Sequence, residues 1–263
     1  TDYVGYTHES VLADKRDRTW RVEESEDRTS MQILTRVLSI IQMGQEVSSV
    51  SDGEAEIVLA PTPFYGESGG QIGDKGLIEA PQSNFLATVS DTQKPLSDLS
   101  VCSISVRRGH LSKGDEVWAG YDIGSRKGTR IHHSATHLLH GSLREVLGDH
   151  VKQAGSLVDA HHLRFDFSHF EPLTVLQICQ IEDKANAEID LQHEVMTDVL
   201  AFEAAQKRGA IAMFGEKYGD VVRVLTMGES VEFCGGTHVK NTTDIGNLLV
   251  MRDDSVASGV RRI

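Results

Sequence analysis

The sequence predicts an α+β protein: a small antiparallel β-barrel, followed by a second domain of helices packed on an antiparallel sheet. In the first half of the 263-residue chain, short alternating runs are separated by Gly-rich turns, as in small barrels. In the second half, apolar residues recur at helical spacing between further strand-like runs. We expect one domain over residues 1–123 and another over residues 124–263.

The barrel strands are predicted from alternating runs that each end in a turn. These runs are "AEIVLAPTPF", "LIEA", "FLATVSD" and "VCSISVRRG", and "LSKGDEVWAGYD" repeats the pattern. A glycine-rich loop, "ESGGQIGDKG", lies between the first two runs. Near the N terminus, "LADKRDRTWRVEESEDRTS" alternates in charge, which predicts an exposed segment.

The second domain is predicted to open with a helix over residues 131–147, with Gly148 as its C-cap. The segment "LRFDFSH" alternates apolar and polar residues like a half-buried strand. A second helix is predicted over residues 171–190, with Pro172 in its first turn. Further strands are expected over residues 193–200, 221–227 and 246–252.

The composition favours a globular protein of a reducing, cytoplasmic compartment. The chain is 39% hydrophobic, carries a net charge of −13 and has three scattered cysteines, too few for a disulfide framework. No apolar run reaches the ~18 residues of a membrane span, and we expect no membrane partner. The chain begins with Thr1 rather than Met, which suggests a piece of a longer protein.

Two short motifs carry candidate metal ligands. "HHSATH" places His133 and His137 about one helical turn apart, and "FCGGTH" repeats that spacing with Cys234 and His238. Three imidazoles and one thiolate suit tetrahedral Zn²⁺, so we predict about one zinc ion per chain. Either pair alone is weak evidence for a metal site, because histidines at this spacing usually pack in the interior or face solvent. His140 is an alternative ligand.

The motif differs from that of the zincin metalloproteases, in which a glutamate follows the first histidine as general base. Here that residue is Ser134. If a water molecule is activated, another group must therefore orient it.

Longer segments resemble a known family. The stretch "HHSATHLLHGSLREVLGDHVKQAGSLVDAHHLRFDFSHF" is similar to the editing domain of alanyl-tRNA synthetases, as are "RGAIAMFGEKYGDVVRVL", "FCGGTHVKNTTDIGNL" and "SGVRRI". The segment "TPFYGESGGQIGDKG" resembles the glycine-rich loop of the barrel that precedes that domain. The resemblance covers most of the chain beyond about residue 57.

The resemblance implies hydrolysis of mischarged tRNA(Ala), chiefly its seryl ester and also its glycyl ester. It also implies which residues bind the metal and which contact the substrate. Zinc would be held by His133, His137, Cys234 and His238, and the substrate would be contacted by Thr136, Gln153 and Ser156. The expected partner is the acceptor end of tRNA(Ala), with further affinity from aminoacylation and C-terminal domains that this segment lacks.

From the residues alone, Thr136 and Gln153 have groups that could bond the hydroxyl of serine. The alternatives are that Thr136 bonds its own helix backbone and that Gln153 is an exposed strand residue. Gly69, Gly70 and Gln71 could present loop amides to phosphate, although an ordinary barrel turn explains such glycines equally well. Basic stretches such as "GSRKGTR" offset the acidic charge locally.

Three other functions stay open at this stage. They are a free-standing deacylase with the same metal motif, a zinc-stabilised tRNA-binding module without catalysis, and a zinc hydrolase of an unrelated ester or amide.

Four protein ligands would close the zinc site, so catalysis would need a displaced ligand, an expanded shell or the field of the ion alone.

Overall fold

The computed structural model describes residues 22–24, 30–211 and 219–263. Most of the charged N-terminal segment and part of "AMFGEKYGDVVRV" lie outside the described residues. The chain divides into two compact units, the first formed by Thr1–Ser68 and Ile72–Arg126, the second by Gly69–Gln71 and Lys127–Ile263. The domain boundary expected after residue 123 stays a prediction.

The first unit is built from strands. They are β1 Val22–Glu24, β2 Ser30–Gln42, β3 Gln45–Val47, β4 Ser49–Val50, β5 Glu54–Ala60, β6 Gly76–Ala80, β7 Phe85–Leu96, β8 Leu99–Arg108, β9 Leu111–Ser112 and β10 Glu116–Asp122. Six of them pair in the order β2-β10-β6-β7-β8-β5, and β5 pairs back with β2 in antiparallel register. The sheet closes on itself, which confirms the predicted barrel.

Alternation along the strands fills the barrel interior. In β5, Ala55, Ile57 and Leu59 are buried while Glu54 and Glu56 are exposed. Strand β2 was not among the predicted runs, which begin at "AEIVLAPTPF". Its sequence nevertheless follows the same period of two that strands require.

The second unit contains the helices. Its elements are α1 Ile123–Leu147, which begins in the first unit, β11 Gln153–Val158, β12 Leu163–Ser168, α2 Val175–Asp190, β13 Val195–Ala201, α3 Phe202–Lys207, β14 Val221–Met227, β15 Ser230–Phe233, β16 Asp254–Ala257 and β17 Val260–Arg262. They form two sheets, β11-β12-β17-β16 and β13-β14-β15, and confirm the α+β class. No helix among the described residues has the length and apolar character that crossing a membrane requires.

Helix α1 begins eight residues before the predicted start at residue 131. Asp122 explains the difference, because its Oδ1 accepts a hydrogen bond from the Ser125 backbone N–H at 2.6 Å, as an N-cap does. At the other end, Gly148 has φ of 113° and donates its N–H to the Arg144 carbonyl. The predicted glycine termination is therefore confirmed, and the helix is longer than its apolar pattern indicated.

Two predictions in the second unit are wrong in detail. Helix α2 begins at Val175 rather than at residue 171, because Thr174 forms a capping box with Gln177, so Pro172 lies before the helix. Residues 246–252 form no strand. Instead, the backbone N–H groups of Leu248 and Val250 donate to side chains of α2, at 2.8 Å and 2.7 Å, which satisfies them without a partner strand.

Candidate metal centre

Four side chains of the second unit converge on one point. His133 and His137 project from α1, while Cys234 and His238 follow strand β15. One nitrogen or sulfur atom from each of the four lies within 4.8 Å of all the others. The Cys234 sulfur is 3.4 Å from Nε2 of both His133 and His238, and Nε2 of His137 is 3.2 Å from that of His238. All four residues are buried.

The three distances of 3.2–3.4 Å fit edges of a coordination tetrahedron, and the other donor pairs lie within 4.8 Å. Ligands about 2.0–2.3 Å from a central ion are separated by about 3.3–3.7 Å when they occupy the corners of a tetrahedron. Three imidazole nitrogens and one thiolate sulfur are a donor set that divalent zinc accepts. The residues therefore form a cluster that could hold one metal ion.

Gly236 gives His133 the space to reach the cluster. A β-carbon at position 236 would lie 1.9 Å from Cε1 of His133, whereas one at Gly235 would meet nothing within 4 Å. Neither Gly235 nor Gly236 has positive φ, so neither is required for a left-handed turn. The requirement at position 236 is close approach between the loop and the histidine ring.

The titration of these groups reflects their mutual attraction. Burial alone would raise the pKa of the Cys234 thiol, but His133, His238 and His137 outweigh it and hold that pKa well below its usual value. Burial would likewise lower the pKa of His137, yet the carboxylate of Glu232 and the thiolate of Cys234 together outweigh it and raise the pKa to about 10. The low thiol pKa favours the thiolate, which is the form that binds metals.

Cys102 shows what burial does without such neighbours. It is also fully buried, in the core of the barrel, and burial raises its thiol pKa to about 12. The opposite shift at Cys234 therefore comes from the surrounding histidines rather than from burial.

Two acceptors hold the outer nitrogens of the α1 histidines. Nδ1 of His133 lies 2.7 Å from Oε1 of Gln71, and Nδ1 of His137 lies 2.8 Å from Oε2 of Glu232. Gln71 was predicted to contact substrate, whereas Glu232 was not singled out at all. Its place between the apolar residues Val231 and Phe233, directly before Cys234, is the sequence feature that could have indicated it.

The remaining predicted residues on α1 have partners of their own. The hydroxyl of Thr136 is buried and donates to the His132 carbonyl at 2.8 Å, one helical turn away. His140 lies outside the four-residue cluster and packs its ring against Phe165, with 5.3 Å between centroids. The pKa of His140 is lowered, and burial is the largest cause.

Strand β11 brings together a second group of predicted residues. Nε2 of Gln153 donates to Oγ of Ser156 at 3.1 Å. Gly70 packs so closely on Ser156 that a β-carbon at position 70 would lie 2.1 Å from Oγ. Gly69 and Gly70 have φ of 58° and 82°, and the Gly70 carbonyl accepts from the Val158 N–H at 2.8 Å. The loop therefore runs alongside β11, and Gln71 comes directly after Gly70 in the sequence.

Comparisons with known proteins show the family of the chain. Residues 6–124 match the family profile of class II (A) tRNA synthetases, and residues 222–263 match that of the threonyl and alanyl tRNA synthetase second additional domain. An alanine–tRNA ligase of Myxococcus xanthus is 50% identical over 229 residues, which is 86% of this chain. One from Magnetococcus marinus is 43% identical over 265 residues and covers 100% of the chain. The chain belongs to the alanine–tRNA ligase family.

The chain spans about a quarter of those alanine–tRNA ligases, 26% of the Myxococcus protein and 27% of the Magnetococcus one. A protein of Legionella pneumophila strain Lens with the same name is 47% identical over 230 residues, again 26% of its length. The matched profiles fall on the barrel and on the segment that carries Cys234 and His238.

Two cavities of the second unit adjoin α1. One, of about 420 Å³, is lined by His137 and Glu232 together with His140, Arg144 and Lys184. A larger cavity, of about 580 Å³, is lined by α1 between residues 131 and 139, by residues 161–164 and 245–254, and by the end of the chain. None of the predicted site residues lines it. The smaller cavity is therefore the one that adjoins the candidate metal centre.

Proposed function

We propose that this chain is the editing segment of an alanine–tRNA ligase and hydrolyses the aminoacyl ester of Ser-tRNA(Ala) and Gly-tRNA(Ala). The observation that carries the proposal is the buried convergence of His133, His137, Cys234 and His238 in a chain of this family. A pocket built for alanine cannot exclude glycine and rejects serine only weakly. A second, hydrolytic site would remove both products.

The four converging donors support zinc as the resident ion, because imidazole and thiolate together suit it. Zinc, when bound, supplies positive charge that favours a developing oxyanion. The residues of the chain do the remaining work, which is to hold the ester and to place a water molecule beside it.

Gln153 is the proposed contact for the aminoacyl group. Its Nε2 is committed to Ser156, whereas its Oε1 is buried and has no hydrogen-bond partner among the described residues. A buried, unpaired acceptor costs about 1–3 kcal/mol, which a donor on the substrate would recover. The ammonium group of an aminoacyl ester and the hydroxyl of serine are both such donors. Ser156 would keep the amide in the orientation that leaves Oε1 free.

Thr136 is the proposed discriminator between serine and alanine. Its hydrogen is donated to the His132 carbonyl, so its oxygen keeps lone pairs that can accept a hydrogen bond. The hydroxyl of serine can donate to that oxygen, and the methyl group of alanine cannot. The same backbone bond fixes the rotamer of Thr136, which would hold the acceptor in place.

The proposed partner is the acceptor end of tRNA(Ala), with Gly69 and Gly70 lying close to the terminal nucleotide. Their positive φ values shape a loop that runs beside Ser156. A chain with net charge −13 has little general attraction for phosphate, so most tRNA affinity would come from other parts of the synthetase.

The test is single-turnover deacylation of seryl-, glycyl- and alanyl-tRNA(Ala) by the zinc-loaded chain. The seryl and glycyl esters should be hydrolysed well above the buffer rate, and the alanyl ester much more slowly. Gln153→Ala should lower the seryl rate by at least ~10-fold, the loss of about 1.4 kcal/mol, with an unchanged melting temperature. Gln206→Ala, at an exposed amide on α3, is the control. Rates equal to those in buffer for all three esters would refute the proposal.

A second candidate function is a metal-stabilised tRNA-binding module without catalysis. The closed set of four protein ligands favours it, because catalytic zinc sites usually keep one open position. The two functions differ in one result: the module binds tRNA(Ala) with zinc present but leaves the seryl ester intact.

A further inference from the structure

The outer nitrogens of two cluster histidines are held in the same way by two different residues. Nε2 of His133 and Nε2 of His137 face the other donors, at 3.4 Å from the Cys234 sulfur and 3.2 Å from His238. A neutral imidazole that donates its Nδ1–H keeps a lone pair on Nε2. An acceptor at each Nδ1 therefore selects the tautomer that can bind a metal.

Gln71 provides that acceptor for His133 from the glycine-rich loop. It is fully buried, and its Oε1 also accepts from the backbone N–H of Thr237 at 2.8 Å. Because a backbone N–H can only donate, the amide must present its oxygen to this corner, and His133 meets that oxygen too. Nε2 of Gln71 donates to Oγ1 of Thr237 at 3.0 Å, so both the oxygen and the nitrogen of the amide have partners inside the protein.

Thr237 stands directly before the ligand candidate His238. Gln71 therefore ties the α1 histidine to the loop that carries Cys234 and His238. With both of its amide atoms committed in this way, the amide is placed to orient His133 and Thr237.

Glu232 provides the acceptor for His137. Its side chain is buried, its Oε2 lies 2.8 Å from Nδ1 of His137, and its Oε1 accepts from Ser230 at 2.7 Å. The carboxylate adds one negative charge beside the Cys234 thiolate, so the two together match the charge of a divalent ion. In contrast, Nδ1 of His238 has no hydrogen-bond partner among the described residues.

We propose that Gln71 and Glu232 are positioning residues of the metal centre, which orient His133 and His137 and fix their tautomers for metal binding. This inference rests on the proposed metal centre but not on the proposed hydrolysis. It changes the role of Gln71 from a substrate contact to a support for a ligand. Residues that orient metal-bound histidines typically change metal affinity by about 10–100-fold when they are lost.

The test is zinc affinity of the whole chain, measured by chelator competition at fixed pH, with the absorption spectrum of the Co²⁺-loaded chain as a second readout. Gln71→Ala and Glu232→Ala should each weaken zinc binding by about 10–100-fold. Gln71→Glu should recover most of the loss, because it keeps an acceptor for His133 and the Thr237 hydroxyl can rotate to donate. Glu232→Gln should fall between wild type and alanine, because it keeps an acceptor but not the charge.

A structural control separates positioning from general destabilisation. Thr242 is fully buried and bonds the Ile189 carbonyl and the His193 N–H, both at 3.0 Å. Thr242→Val should lower the melting temperature and leave zinc affinity and the Co²⁺ spectrum unchanged. If the alanine variants bind zinc like the wild type, or if the conservative variants recover nothing, the positioning roles are refuted.

The same measurements distinguish the two levels of the account. A wild-type chain that binds no zinc would overturn the metal centre and the positioning roles together. A wild-type chain that binds zinc but does not deacylate seryl-tRNA(Ala) would refute the proposed hydrolysis alone, and the affinities of the variants would still decide the positioning roles.

Discussion

The imidazole of His133 occupies the space that a side chain at position 236 would need. This contact explains why position 236 in "FCGGTH" requires glycine, whereas position 235 has room for a side chain. The spacing of the histidines and the cysteine was enough to predict the four clustered side chains. The acceptors Gln71 and Glu232 could not be predicted that way, because their positions depend on tertiary contacts rather than on a period along the chain.

Gly236→Ala should disrupt the metal centre, whereas Gly235→Ala should not. The new β-carbon at position 236 would lie 1.9 Å from His133 and force the ring or the loop to move. We expect zinc affinity to fall at least ~10-fold, as for other losses of ligand orientation. Isothermal titration with zinc measures both variants, and equal affinities would contradict the close-contact explanation.

Thr136→Val should narrow the preference for seryl over alanyl ester. The substitution keeps the shape but removes the hydroxyl, and a lost hydrogen bond of ~1.4 kcal/mol is a factor of ten. Glycyl ester has no hydroxyl to lose, so its rate should change less.

Ser142→Ala is the matched control, because Ser142 makes the same kind of bond to the Leu138 carbonyl, at 2.9 Å, on the same helix. Single-turnover rates of the three esters measure the effect. A preference that survives Thr136→Val would show that the hydroxyl is recognised elsewhere.

At the scale of elements, side-chain bonds to the backbone decided where the predictions failed. Asp122 extends α1 toward the N terminus, and Thr174 delays the start of α2. Residues 246–252 have a strand-like composition, but α2 supplies their hydrogen bonds. Periodicity reports which face of an element is buried, and it contains little information on which side chain caps the element.

Strand β12 shows a related effect, because one of its predicted polar positions is buried. Phe165 and Phe167 are fully buried as expected, but Asp166 between them is buried too. Its carboxylate accepts two hydrogen bonds from Arg262 of β17, at 2.7 Å and 2.9 Å. The ion pair links β12 to β17, the strand within the closing segment "GVRRI".

Asp166→Asn should therefore cost stability in a pH-dependent way. The hydrogen bonds from Arg262 hold the pKa of Asp166 below its usual value. The folded pKa is thus below the unfolded one, so the stabilisation is complete above the unfolded value of about 4 and disappears as the pH falls through the folded value. We expect a difference of about 1–3 kcal/mol between wild type and variant near pH 7, decreasing below about pH 4.

Urea unfolding as a function of pH measures this difference. Asp198→Asn is the control, because its ion pair with Arg208 is about half exposed and should contribute little. A difference between wild type and Asp166→Asn that stays constant into the acid range would contradict the assignment.

At the scale of the whole molecule, the described residues form three hydrophobic clusters: one inside the barrel, one around α1 and α2, and a smaller one between α3 and strands β14 and β15. The barrel was predictable because its strands alternate cleanly and end in glycine turns. The second unit was predictable only in class, because its sheets are short and its loops carry the candidate centre.

Metal removal should destabilise the second unit selectively. Trp118 lies on β10 of the barrel, and no tryptophan follows it in the sequence, so tryptophan emission does not report the second unit. A chelator should lower the far-ultraviolet circular dichroism transition by about 5 °C or more, equivalent to 1–2 kcal/mol. The tryptophan transition should stay where it was. Equal shifts of both transitions would contradict a stabilising role confined to the second unit.

The central claim is that His133, His137, Cys234 and His238 bind one zinc ion together. X-ray absorption at the zinc edge of the purified chain tests it most directly. The account predicts one sulfur at about 2.3 Å and three nitrogens at about 2.0–2.1 Å, and loss of the sulfur contribution in Cys234→Ser. A folded chain without zinc, or a zinc spectrum without sulfur, would contradict it.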